Sequence, residues 1–368
     1  MRKGHNIYKR RDGRWEGRYT KGRKENGRIH YGYVYGKSFG EVKAKLYPLK
    51  AKYEQLREKN GEATIAFQEW GAVWLMMIQS EVKESTYGNY YYKLNKYVFP
   101  KIGDYGLNEL TVEIGAEMVA ELIDLGLAIS TIGAILRIIN QCLNEAKRKG
   151  QISENPFALI KLPKSKSGKT GALTREEQRK LEIAAITERK SYGLPTLLSL
   201  YSGMRIGEIS ALQWKDIDFD TNLIRVKHTF QRIMTTSEDK KTELVYTNSK
   251  TDSSVRVVPL SDSMRTLLWD HKKQAKGEFV FSNKVYPPEP RLLTYHFHRI
   301  RKKAGLENVH FHQLRHTFAT RCIETQGDIA SVSAILGHRS TQMTLDTYTD
   351  ALLEQRIQVV KQMERSIA

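Results

Sequence analysis

Two dipeptides near the start restrict this chain more than any other feature. Asp12-Gly13 separates Ile7–Arg10 from Trp15–Lys21, and Asn26-Gly27 precedes Ile29–Lys37. Both accept the positive φ angles of tight hairpin turns, so the three runs read as successive antiparallel strands. Tyr31, Tyr33 and Tyr35 alternate in the third run, as one face of a strand should. Ser38 and Glu41 have capping-box spacing, which predicts a helix from there to about Asn60-Gly61. The first 61 residues are thus expected to form a three-stranded sheet with one helix.

Charge says what such a module meets. The 368 residues hold 60 Lys and Arg against 41 Asp and Glu, a net charge of +19. Residues 1–60 contain 18 of those cations and 6 of the acids, so 12 of the 19 surplus charges lie there. Aromatic residues interleaved with clustered cations point to a nucleic acid, because phosphate contacts supply most non-specific affinity. No apolar run approaches the ~20 residues of a membrane span, and no apolar stretch follows the basic start. Cys142 and Cys322 stand apart in helical stretches and read as buried thiols in a reducing compartment. A cytoplasmic protein follows.

From about 64 to 160 the period becomes helical. Phe67, Trp70, Trp74 and Leu75 recur at helix spacing. Ser85-Thr86, Thr111 and Ser130 are candidate starts for further helices, the last ending at Gly150, which predicts a bundle of about four. Residues 161–171, rich in Lys, Ser, Gly and Pro, read as a linker. Gly168-Lys169-Thr170 within it imitates a phosphate-binding loop, but Pro163 stands where that loop needs glycine, and no strand precedes it.

Residues 172–368 open with a second capping box, Thr174 and Glu177. Helices are expected near 175–188 and 194–212, strands at Leu223–Lys227, Leu244–Tyr246 and Ser254–Pro259, and helices again near 262–276, 292–304, 312–325, 328–336 and 340–348. The whole is multidomain α+β: a sheet-plus-helix module, a helical domain, and a mostly helical domain with a small antiparallel sheet.

Five motifs in this last domain stand in a telling order: Tyr201-Ser202-Gly203-Met204-Arg205-Ile206-Gly207-Glu208; Ser249-Lys250 followed by Val255-Arg256-Val257-Val258-Pro259; His312-Gln313-Leu314-Arg315; Leu336-Gly337-His338; and Thr344-Leu345-Asp346-Thr347-Tyr348, ten residues after His338. Together they resemble the tyrosine recombinase (phage integrase) family over roughly 170–350. The layout before them is similar to integrases of conjugative transposons and lambda-like phages. Chromosome-dimer-resolving recombinases share the motifs but usually lack the first module.

The resemblance implies that Tyr348 attacks a DNA phosphate, giving a 3′-phosphotyrosyl link and a free 5′-hydroxyl. Arg205 and Arg315 would clamp the phosphate, Lys250 protonate the leaving oxygen, and His312 and His338 serve the tyrosine proton or a phosphate oxygen. Guanidinium suits the clamp, being permanently charged and forked. Glu208, a helical turn from Arg205, would brace a cation or imidazole behind them. No cofactor is implied, since the covalent link conserves the bond energy. The implied partners are double-stranded DNA at crossover and arm sites, three further copies of the chain in a tetramer, and an accessory excision factor.

His296-x-His298 and His310-x-His312 lack the further ligands zinc wants, so no metal site is expected. Asp350–Ala368 reads as an amphipathic helix packing on its own domain or on a neighbouring copy. Two rival readings are a DNA-binding regulator without catalysis and a type IB topoisomerase; the full basic set with its tyrosine opposes the first, and the N-terminal module opposes the second.

Overall fold

The computed structural model describes residues 6–24, 26–163, 171–237, 240–248, 255–325, 327–338, 340–347, 360 and 363–364. The chain divides into two compact units, Met1–Ser167 with Met234–Lys241, and Gly168–Ile233 with Thr242–Ala368.

In the first unit β1 (Ile7–Lys9), β2 (Trp15–Arg23) and β3 (Ile29–Gly36) form an antiparallel sheet in that order, with Gly13 and Gly27 at positive φ in the turns. Helix α1 (Phe39–Asn60) covers one face through Val42, Leu46 and Tyr53, which pack with Tyr19 and Val34. Tyr33 and Tyr35 stay exposed on the other face. Ser38 caps α1 through Glu41 N–H, while the Glu41 carboxylate accepts from Lys37 N–H, one residue earlier than a reciprocal box would have it.

The helical part comprises α2 (Phe67–Ile78), α3 (Glu84–Lys93), α4 (Phe99–Ile102), α5 (Val112–Asp124) and α6 (Ile129–Arg148). Between α3 and α4 the chain widens into a π-turn, with Phe99 N–H bonded to the Leu94 carbonyl; Pro100, which has no N–H, follows directly. Phe67, Trp70, Leu94, Leu122, Ile135 and Leu143 lead the core. Thr111 caps α5 and Gly150 turns left-handed after α6, as expected. The expected starts at Ser85 and Ser130 are corrected: α3 begins after Lys83 and α6 after Ala128, both extended and without a capping side chain, so each serine lies inside its helix.

The sheet module is tied to the helices by polar contacts. Arg23 pairs with Ala63 and bonds Glu62, Asn108 Nδ2 donates to the Lys21 carbonyl, and Glu109 accepts from Tyr53 Oη. At Gly22 a Cβ would lie 2.3 Å from the Glu62 carbonyl oxygen, so only glycine permits this approach.

The second unit contains α7 (Arg175–Ile186), capped reciprocally by Thr174 and Glu177, then α8 (Lys190–Ser202) and α9 (Ile206–Ala211). Strands β4 (Ile217–Asp218), β5 (Leu223–Val226), β6 (His228–Met234), β7 (Thr242–Asn248) and β8 (Arg256–Pro259) make two sheets among the described residues, β4-β5-β8 and β6-β7. The sequence reading had one sheet and missed β6. Helices α10 (Asp262–Lys272), α11 (Pro290–Lys303), α12 (Phe311–Glu324), α13 (Ile329–Leu336) and α14 (Thr341–Thr347) complete it. Leu198, Ile209, Ile224, Leu268, Phe297 and Leu314 lead its core. No helix among the described residues is long and apolar enough to cross a membrane. Cys142 is buried, but Cys322 is only partly so.

Candidate active site

The continuous helix expected over 194–212 is broken, and the break makes the site. Gly203 ends α8 at φ 66° and ψ 12°. A Cβ there would stand 2.7 Å from Phe318 Cδ1 and 2.8 Å from Leu336 Cδ2, so both backbone and packing demand glycine. Arg205 follows in extended conformation as the residue before α9. Its N–H donates to Glu208 Oε2 at 2.8 Å, satisfying one unpaired donor at a helix start, and its Nη1 donates to Oε1 at 2.9 Å.

Glu208 is buried, and a second arginine claims it. Arg256 Nη1 and Nη2 donate to its two oxygens at 2.8 and 2.7 Å. Burial would raise the Glu208 carboxyl, but the hydrogen bonds and charge of Arg256, then Arg205, hold it below the usual carboxylate range. Arg256 Nε donates to the Ile335 carbonyl at 2.6 Å. Arg315, almost wholly buried on α12, donates to the Gly203 carbonyl at 2.8 Å and the Leu336 carbonyl at 2.6 Å.

His312 lies in the first turn of α12 with His316 one turn on, ring centroids 4.9 Å apart and edge to face. His338 follows Gly337, which turns left-handed after α13, and its Nδ1 lies 2.8 Å from Thr344 Oγ1. Desolvation first, then Arg315 and Arg205, push His338 down to about 4. Desolvation, His316, Arg315 and Arg205 lower His312 in the same way, though its exposed edge lets water offset part of the burden. Both shifts favour the neutral imidazole, which can accept a proton on one nitrogen or donate from the other.

Arg205, His312 and Arg315 line a cleft of about 480 Å³ with Thr229 and Arg232 of β6 and Thr294 of α11. The carboxylate behind Arg205 is saturated by donors, so the site is suited to an anion with several acceptor oxygens. Five of the seven expected residues are thus gathered: Arg205, Glu208, His312, Arg315 and His338. Lys250, between β7 and β8, and Tyr348, directly after α14, lie outside the described residues, as do nearly all of 350–368 and residues 164–170 of the linker. The strands flanking Lys250 belong to different sheets among the described residues, not to one hairpin.

Arg256, His316 and Thr344 were missed as contributors. Arg256 left one signal, a cation at an inward position among Val255, Val257 and Val258, where burial demands a partner. The set-aside histidines diverge: His296 is buried and stacked on Tyr192 at 3.9 Å, whereas His298 is exposed.

The Phage integrase family model matches residues 172–355, and that of the phage integrase N-terminal SAM-like domain matches 66–123. The chain is 26% identical over 379 residues to a protein named tyrosine recombinase XerC-like from Caldanaerobacter subterraneus subsp. tengcongensis, covering 93% of each. It is 23% identical over 323 residues to the ICEBs1 integrase of Bacillus subtilis, covering 84% of each. Among solved structures, the Tn1549 transposon integrase in complex with transposon right end DNA superposes with a TM-score of 0.69 at 21% identity, over 82% of this chain and 100% of that one. The lambda integrase of a tetramer bound to a Holliday junction gives 0.61 at 21% identity, over 95% of this chain and 97% of that one. With half its length matched by one family model, and Arg205, His312 and Arg315 lining one cleft, the chain belongs to the phage integrase family of tyrosine recombinases.

Proposed function

We propose that this enzyme is a site-specific DNA integrase that inserts and excises a mobile element through a covalent tyrosine intermediate. The observation that carries the reading is the convergence of Arg205, His312 and Arg315 on one cleft, with His338 under the influence of the same two arginines. A phosphodiester broken without metal develops charge on its non-bridging oxygens, and preorganised donors aimed at that charge lower the barrier most. Arg205 and Arg315 supply them, with His338 donating a further hydrogen bond. Tyr348 Oη attacks phosphorus and the bond to the 5′-oxygen breaks. His312 takes the tyrosine proton or holds a phosphate oxygen, and Lys250 protonates the departing 5′-oxygen. Attack of a 5′-hydroxyl on the phosphotyrosine reverses the sequence, so rejoining needs no nucleotide.

In this reading residues 1–61 bind arm sites, 64–160 grip the crossover site, 161–171 link them to the catalytic domain, 172–368, and four copies assemble on two duplexes. An accessory factor would favour excision. The setting is the bacterial cytoplasm, where the DNA lies.

The experiment is a library of nicked duplexes of random sequence, probed for protein–DNA adducts that survive denaturant. The wild type forms adducts whose junctions, once sequenced, give the target. Tyr348→Phe binds the recovered duplex but forms none. An adduct in that variant would place the nucleophile elsewhere, and no wild-type adduct on any sequence would leave a DNA-binding protein without catalysis.

A further inference from the structure

The last four carbonyls of α13 are all met, and by an unusual mixture of donors. His338 N–H bonds the Ser333 carbonyl and Gly337 N–H the Ala334 carbonyl, the ordinary closure of a helix by a left-handed glycine. The two carbonyls that this closure leaves, Ile335 and Leu336, receive Arg256 Nε and Arg315 Nη2. The backbone immediately before His338 is thus held by two buried guanidinium groups.

Arg256 reaches in two directions at once. Its Nη edge lies fork to fork on Glu208, whose other donors come from Arg205, and its Nε–H points at α13. A buried ion pair is weak as a device for stability alone, since well-packed apolar residues often serve as well. An apolar side chain would lack a directed N–H for the Ile335 carbonyl, and lysine would lack the planar fork that serves both partners.

We propose that Arg256 is a positioning residue for His338, fixing the end of α13 relative to the start of α9 and so setting that imidazole in register with Arg205. The inference rests on His338 meeting the scissile phosphate, as proposed above. It adds to that reading a residue that need not touch DNA.

Single-turnover cleavage of the nicked duplex recovered above tests it. Arg256→Met alone leaves the buried carboxylate to Arg205, which could draw that guanidinium out of place, so the decisive variant is the neutral pair Arg256→Met/Glu208→Gln, with Arg256→Lys as the conservative partner. Urea midpoints identify folded variants, and DNA affinity should stay within about twofold. Misplacement of a reacting group by about 1 Å costs about a hundredfold, so the neutral pair should cleave about a hundredfold more slowly and Arg256→Lys should recover part of that. Against a His338→Ala background the same pair should cost less than about threefold, because two changes acting through one group do not add. An undiminished hundredfold loss in that background would overturn the proposal while leaving His338 in place. Full cleavage by His338→Ala would remove His338 from the reaction, and this proposal with it.

Discussion

Thr344 is completely buried, and its Oγ1 lies 2.8 Å from Nδ1 of His338. The contact fixes which ring nitrogen is engaged by protein and leaves Nε2 for whatever enters the site. Thr344→Val keeps the shape and removes the hydroxyl. One lost neutral hydrogen bond is worth about 1 kcal/mol, so single-turnover cleavage should fall by about five- to tenfold with DNA affinity unchanged. Thr344→Ser should cleave nearly as the wild type does; a serine variant as slow as the valine one would show that packing, not the hydroxyl, matters.

The two arginines of the clamp should fail differently. Arg205 is partly exposed, and Glu208 keeps Arg256 when Arg205 is lost, so Arg205→Ala should reduce cleavage by about 10²–10³-fold with little change in urea midpoint. Arg315→Ala strips donors from the Gly203 and Leu336 carbonyls in a buried setting. It should lower cleavage as much and also cost about 1–3 kcal/mol of stability for each carbonyl left unmet. Equal urea midpoints for the two variants would contradict this division.

The histidines make stability depend on acidity in a defined window. His338 is depressed to about 4 in the folded chain, against an ordinary value of about 6.5. Between those values the unfolded chain binds more protons than the folded one, so stability rises with pH across the window and levels off above it. Urea midpoints should therefore drop between pH 7 and pH 5, and the drop should be smaller in His338→Gln. An unchanged drop in that variant would show that other groups cause it.

Gly203 should tolerate no side chain. Its left-handed backbone and the close approach of Phe318 and Leu336 penalise even alanine, by about 1–3 kcal/mol. Because the same residue orients Arg205 and lends its carbonyl to Arg315, Gly203→Ala should lose cleavage even under conditions where it remains folded. Full cleavage by the folded variant would separate the turn from the site.

The sheet module should come loose when Glu109 is changed. That carboxylate takes Tyr53 Oη, lies near Lys21 Nζ, and accepts from Gly106 N–H. Glu109→Ala should cost about 1–3 kcal/mol, measured by urea, and speed proteolysis between 61 and 66. Unaltered proteolysis there would mean that the remaining ties, through Arg23 and Asn108, hold the module without Glu109.

Local signals were legible in the sequence wherever local chemistry decides the structure. The glycine turns at 13 and 27, the caps at Ser38, Thr111 and Thr174, and the left-handed Gly150 needed only their neighbours. The break at Gly203 was hidden because the apolar spacing of Leu194, Leu197, Leu198 and Ile209 continues across it, while its cause, the pressure of Phe318 and Leu336, lies more than a hundred residues away. Strand β6 escaped because His228, Gln231 and Arg232 blur its alternation. Arg205, Arg315 and His338 were readable from motif order, but the Arg256 fork was not, since no spacing tells which carboxylate a buried arginine will find.

The contacts made by Gly22, Asn108 and Glu109 brace the sheet module against the segment that leads into α2–α6. A load applied to its tyrosine face would thus pass to the helices through those side-chain and backbone contacts as well as along the chain from Gly61 to Ala66.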